Sequence, residues 1–98
     1  MTQKAGGNGR RVVVSGIGVV APNGVGAAAF AEACLAGRSG VGRLDGIDAS
    51  LLKTTAVARC RDFDPASAMD AVDLRRVPRM IPMALAASRE ALEMAGAM

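Results

Sequence analysis

Gly16-Ile17-Gly18-Val19-Val20-Ala21 follows a β-branched run and has the G-x-G-x-x-A spacing with which a strand-to-helix turn grips a pyrophosphate. That chemistry needs two further parts. A helix must begin within the fingerprint, so that its free N–H groups face the phosphates, and an acidic residue about 20 positions on must meet the ribose. Neither is in place: Pro22-Asn23-Gly24 breaks a helix before it begins, and residues 36–39 contain no acid. No Gly-Lys-Ser/Thr supplies a Walker-type loop either. A small dinucleotide-binding protein is therefore the remotest reading. The plainer one is a structural turn built from Gly16, Gly18, Pro22, Asn23 and Gly24. The first two glycines let another backbone approach; Pro22 presets φ, and Asn-Gly tolerates positive φ.

Cys34 and Cys60 are the two thiols, and the chain has no histidine. Neither a histidine-bearing zinc site nor a Cys–His nucleophilic pair can be completed from these residues. The sequence thus predicts no catalytic residue, no cofactor-binding residue and no metal ligand. Cys34 reads as a small apolar filler on a helix, and Cys60 as the edge of a strand. With no disulfide framework, a reducing, cytoplasmic compartment is expected.

The formal net charge is +3, from 12 Lys and Arg against 9 Asp and Glu. The basic residues gather at Lys4, Arg10 and Arg11, at Arg59 and Arg61, and at Arg75, Arg76 and Arg79. This mild bias suits an acidic protein or a phosphorylated ligand and lacks the dense stripe of a nucleic-acid binder. Phe30 and Phe63 are the only aromatics, so stacking on single-stranded bases has no platform. The apolar run from Val12 to Ala21 is interrupted by Ser15, Gly16 and Gly18 and is too short to cross a bilayer. The start, MTQKAGGNGRR, does not read as a secretory signal. No nucleic acid and no membrane span are expected.

These residues must be positioned by few elements, since 98 residues make at most one modest domain. Residues 1–9 read as a flexible lead. Arg11–Ser15 reads as a short strand with both faces apolar. A helix is predicted from Ala27, with Phe30, Cys34 and Leu35 sharing a face and Gly37 ending it. Arg38–Lys53 reads as a loop, and Thr54–Ala58 as a second strand. Asp64 caps a short helix that begins at Pro65, and Asp73 is expected to cap another. The last helix starts after about Arg79, with Pro82 in its first turn, and Gly96 stops it. Its predicted packed face is Ile81, Leu85, Ser88, Leu92 and Ala95.

Strand, helix, strand, helix is the order of an α/β layer with parallel strands. Yet Val12–Val14 demands layers above and below and strands on either side, and the chain is too short to hold them. The side chains are mainly Ala, Val, Leu and Met, with little bulk for a self-sufficient core. The composition therefore favours part of a larger α/β body, or a subunit completed by a second chain, over an autonomous small domain.

Arg10–Gly24, Leu35–Val41, Asp62-Phe63-Asp64-Pro65, Leu74–Met80 and Ala84–Leu92 resemble, in order, the opening of the β-ketoacyl synthases. These are the condensing enzymes of fatty-acid and polyketide assembly. The resemblance covers the chain from about Arg10 to its end and implies an N-terminal segment, residues 10–98, of a thiolase-type α/β/α/β/α fold that is incomplete here. It also implies a homo- or heterodimer, acyl carrier protein as partner, and decarboxylative Claisen condensation of acyl and malonyl thioesters. In such enzymes a thiolate at a helix start takes the acyl group, and fixed N–H donors meet the developing oxyanion. The nucleophile and its partner residues lie beyond the segment covered, so neither Cys34 nor Cys60 inherits that role.

Pro78 and Met80 depart from the Asp and bulky aromatic that many relatives carry around Arg79, and Leu44-Asp45-Gly46-Ile47 departs from the usual aromatic-Asp phrase. These changes fit a retuned surface or a secondary-metabolite synthase. A non-catalytic, chain-length-factor-like subunit that shapes a partner synthase is the alternative. Arg75, Arg76 and Arg79 are the candidate contacts for an acidic carrier protein.

Overall fold

The computed structural model describes residues 9–48 and 50–97. Most of the expected lead, residues 1–9, lies outside that range. The first regular element is β1 (Val20–Ala21), which pairs antiparallel with β2 (Gly24–Val25) in the register Val20↔Val25 and Ala21↔Gly24. The chain reverses at Pro22–Asn23, but not through positive φ: neither Asn23 nor Gly24 has it. Gly24 is needed for space, because a Cβ there would sit 2.7 Å from the Phe30 nitrogen. Asn23 acts through its side chain, whose Nδ2 donates to the Arg38 carbonyl at 3.2 Å.

Gly26, at φ 97°, turns the chain from β2 into α1 (Ala27–Leu35). Gly37, at φ 69°, ends the helix as expected. Gly37 N–H donates to the Cys34 carbonyl at 3.2 Å and Arg38 N–H to the Ala33 carbonyl at 2.8 Å, the paired bonds of a Schellman cap.

A second hairpin follows, its first strand inside the stretch expected to be a loop and its second within the expected strand Thr54–Ala58. β3 (Val41–Arg43) pairs antiparallel with β4 (Ala56–Ala58), in register Val41↔Ala58, Gly42↔Val57 and Arg43↔Ala56. Pro65–Ser67 forms a 3₁₀ turn with the Asp64 carboxylate accepting from Ala66 N–H at 3.0 Å, and Pro65 at its start. α2 (Ala71–Leu74) begins after Asp70, so Asp73 lies within its first turn instead of capping it. α3 (Met80–Met94) ends at Gly96 (φ 73°) in a second Schellman cap, with Gly96 N–H on Glu93 and Ala97 N–H on Leu92 at 2.9 Å.

Two expectations are corrected. Arg11–Ser15 is not a strand, and both ladders are antiparallel where parallel strands were expected. A strand is stabilised by neighbours on its edges, and among the described residues nothing pairs with this run. Val12, Val13 and Val14 are accordingly 91%, 72% and 83% exposed. The chain is open as a whole: its Cα radius of gyration is 18.1 Å, against about 13 Å for a compact domain of this size.

The packed face of α3 also differs from the leucine stripe. Pro82 is buried, and Ile81, Met83, Ala86, Ala87, Glu90, Ala91 and Ala95 are half-buried, so Ile81 and Ala95 of the expected face pack, while Ser88 is exposed and Leu85 and Leu92 remain 44% and 46% exposed. Small side chains win this interface because the partner is bare backbone. A Cβ on Gly18 would collide with the Ala87 carbonyl, and one on Gly16 with the Ala91 carbonyl. What the structure shows is mixed helix and strand with a small core around Ala33 and Phe63.

Candidate functional site

The glycine corner is closed by a carboxylate from the far end of the chain. Glu90 on α3 accepts the Val19 N–H at 2.9 Å with Oε1 and the Ala27 N–H at 2.8 Å with Oε2. Gly26 N–H donates to the Val19 carbonyl at 2.8 Å, so corner, hairpin and helix start form one hydrogen-bonded unit. Ala27 is the first residue of α1, where a free N–H and the positive end of the helix dipole favour an anion. The anion present is the protein's own. Glu90 already takes N–H groups at this corner that an anionic ligand would need, a physical reason against dinucleotide binding there. Sequence reasoning placed Glu90 among the polar residues of the last helix; its position three residues after Ala87 and beside Ala91, on the alanine face, was the signal available.

The three candidate arginines are not equivalent. Arg75 and Arg76, at the end of α2, are exposed, and neither side chain forms a hydrogen bond or ion pair among the described residues. Arg79 turns back onto the chain. Its Nη2 donates to the Cys60 carbonyl at 2.8 Å and to the Phe63 carbonyl at 3.5 Å, and its guanidinium lies 5.7 Å from the centre of the Phe63 ring. Arg79 therefore helps pin the 60–63 turn under the start of α3, and it lines a cavity of about 250 Å³ together with Pro65, Leu74, Val77 and Pro82.

Cys34 is exposed, not an apolar filler, and its Sγ lies 3.9 Å from the Asn23 amide nitrogen. Cys60 is half-buried. Among the described residues no group of His, Cys, Asp and Glu is placed to hold a metal. Asp48 is exposed, and the Ser50 backbone N–H, followed by the Ser50 hydroxyl, holds its carboxyl below the usual range. That is a local turn, not a catalytic acid. Among the described residues no helix is long and apolar enough to cross a membrane.

The family described as beta-ketoacyl synthase, N-terminal domain, matches residues 9–98. The chain is 46% identical over 88 residues to a Streptomyces halstedii protein named "Putative polyketide beta-ketoacyl synthase 1", covering 89% of this chain and 21% of that protein. It is 40% identical over 87 residues to 3-oxoacyl-[acyl-carrier-protein] synthase 2 of Coxiella burnetii, again 89% of this chain and 21% of that one. A chloroplastic 3-oxoacyl-[acyl-carrier-protein] synthase I of Hordeum vulgare is 34% identical over 87 residues, 89% of this chain and 19% of its own length. The chain thus spans about one fifth of the length of the relatives it matches. The match of the family model across residues 9–98 places the chain in the β-ketoacyl synthase family, as part of the N-terminal domain.

Proposed function

We propose that the chain is the N-terminal segment of a β-ketoacyl-[acyl carrier protein] synthase, residues 10–98 forming the first part of a thiolase-type α/β/α/β/α body. The observation that carries this reading is the family match across residues 9–98, with polyketide and fatty-acid synthases among the relatives. The bare Val12–Val14 run supports it physically, since an apolar, β-branched run left exposed needs the neighbouring strands and helices of a larger layer to pair with and cover it. In this reading the segment contributes architecture. The reaction joins an acyl thioester to the carbanion released by decarboxylation of a malonyl thioester, and it needs a thiolate, acid–base groups and oxyanion donors. In this reading those groups come from other polypeptide; the chain itself has no histidine.

The same reading assigns the chain to the cytoplasm, within a homo- or heterodimer served by acyl carrier protein. Arg75 and Arg76 are the two best placed to meet that acidic protein, being exposed and free of internal partners among the described residues. A second reading is a non-catalytic, chain-length-factor-like subunit that shapes a partner synthase, because the residues that separate it from a catalytic subunit are not among residues 10–98.

One experiment separates them: purify the protein in its native assembly and assay malonyl decarboxylation and condensation with carrier-bound thioesters. Trapping of an acyl group on a cysteine of the polypeptide continuous with this segment supports the synthase. Trapping only on a separate chain supports the silent subunit, and no acyl transfer by any component sinks both.

A further inference from the structure

Arg59, Arg61 and Arg79 line one open cleft of about 460 Å³ beside the end of β4. Arg59 follows the end of β4 and Arg61 lies in the turn that comes after Cys60. Both reach the carboxylate of Asp45: Arg59 Nη1 at 3.4 Å from Oδ1, and Arg61 Nη2 at 3.2 Å from each oxygen. Arg79 enters from the start of α3 with one nitrogen held by the Cys60 and Phe63 carbonyls, and it has no carboxylate partner among the described residues. Asp62 and Asp64 are close in sequence, but neither forms an ion pair with these arginines, and Asp64 serves Ala66 N–H. Three guanidiniums therefore face one carboxylate, which leaves the cleft with a net charge of about +2, and the bonds to Asp45 are long for charge-assisted ones.

We propose that Arg59, Arg61 and Arg79 form a phosphate-binding cleft in which Asp45 is the resident competitor. Each guanidinium presents five donors in a planar fork, a geometry matched to phosphate oxygens, and each retains N–H groups that no protein atom uses among the described residues. A phosphate monoester carries more charge and more terminal oxygens than the Asp45 carboxylate, so it displaces that side chain from the Arg59 and Arg61 forks, whereas a diester, singly charged like the carboxylate, binds through the N–H groups that Asp45 leaves free. The ligand class is a phosphate ester, either a monoester with a terminal phosphate or a phosphodiester. The inference rests on these side chains alone and is independent of the synthase reading.

The test is calorimetric titration of methyl phosphate and dimethyl phosphate into the protein in its native assembly, at low salt, with chloride at matched ionic strength as reference. Saturable binding is expected. The R59Q/R61Q variant, which leaves the carbonyl contacts of Arg79 intact, should raise Kd about tenfold or more. Asp45→Asn should lower Kd about threefold by removing the competing charge. Tighter methyl phosphate identifies a terminal phosphate, and tighter dimethyl phosphate a diester; either supports the cleft. Heats that chloride reproduces, an affinity indifferent to R59Q/R61Q, or an Asp45→Asn variant that does not bind more tightly overturns it.

Discussion

The Glu90 carboxylate on α3 takes the first N–H of α1, that of Ala27, at 2.8 Å, across 63 residues of chain. Its other oxygen takes Val19 N–H, so a single side chain ties the last helix to the glycine corner and to the start of the first helix. Replacing it by alanine leaves two part-buried N–H groups without their acceptor. A loss of about 1–3 kcal/mol is expected, with Glu90→Gln losing less because one oxygen remains. Amide exchange at Val19 and Ala27 checks this: both should lose protection in Glu90→Ala, and unchanged protection would falsify the clasp.

Gly18 faces the Ala87 carbonyl with no space for a methyl group. Gly18→Ala should therefore push α3 off β1 at a cost of about 1–3 kcal/mol. Trimming the opposing side chain with Ala87→Gly should bring no rescue, because the obstacle is main chain. A stability curve for the double variant that returns to wild type shows the contact to be side-chain packing instead.

The valine run gives a prediction for the 98-residue chain by itself. With Val12 and Val14 mostly bare and a radius of gyration of 18.1 Å, it should bind a hydrophobic dye and melt over a broad range. Calorimetry and dye fluorescence read this directly. A sharp two-state transition without dye binding shows that the apolar run finds its cover within the chain.

Arg79 should separate from Arg75 and Arg76 in a paired measurement. Arg79→Leu removes the bond to the Cys60 carbonyl and the contact with the Phe63 ring, for a loss of about 1–2 kcal/mol in unfolding free energy. The R75E/R76E variant should leave stability within about 0.5 kcal/mol and raise the Kd for carrier protein several-fold at low salt. Equal carrier affinity for R75E/R76E and wild type removes these two from the docking surface.

Local chemistry was legible without coordinates. Gly37 and Gly96 end their helices and Asp64-Pro65 starts a turn because caps are decided within about five residues, by φ preference and one side-chain oxygen. The absence of histidine ruled out an internal Cys–His or His–zinc centre from composition alone. Other features depended on partners far along the chain. Hydrophobic periodicity put the leucines of α3 inward, yet the alanines pack, because the surface they meet is glycine backbone and close approach outweighs side-chain bulk there. Val12–Val14 has the composition of a strand and no pairing, since a ladder belongs to two segments and composition reports on one. Adjacency in sequence groups Arg79 with Arg75 and Arg76; the turn at residues 60–63 folding beneath it gives it a different task. Glu90 shows the same division: its residue type and helix position were visible at once, but that its carboxylate holds Val19 and Ala27 was decided only when the fold brought together groups 71 and 63 residues apart.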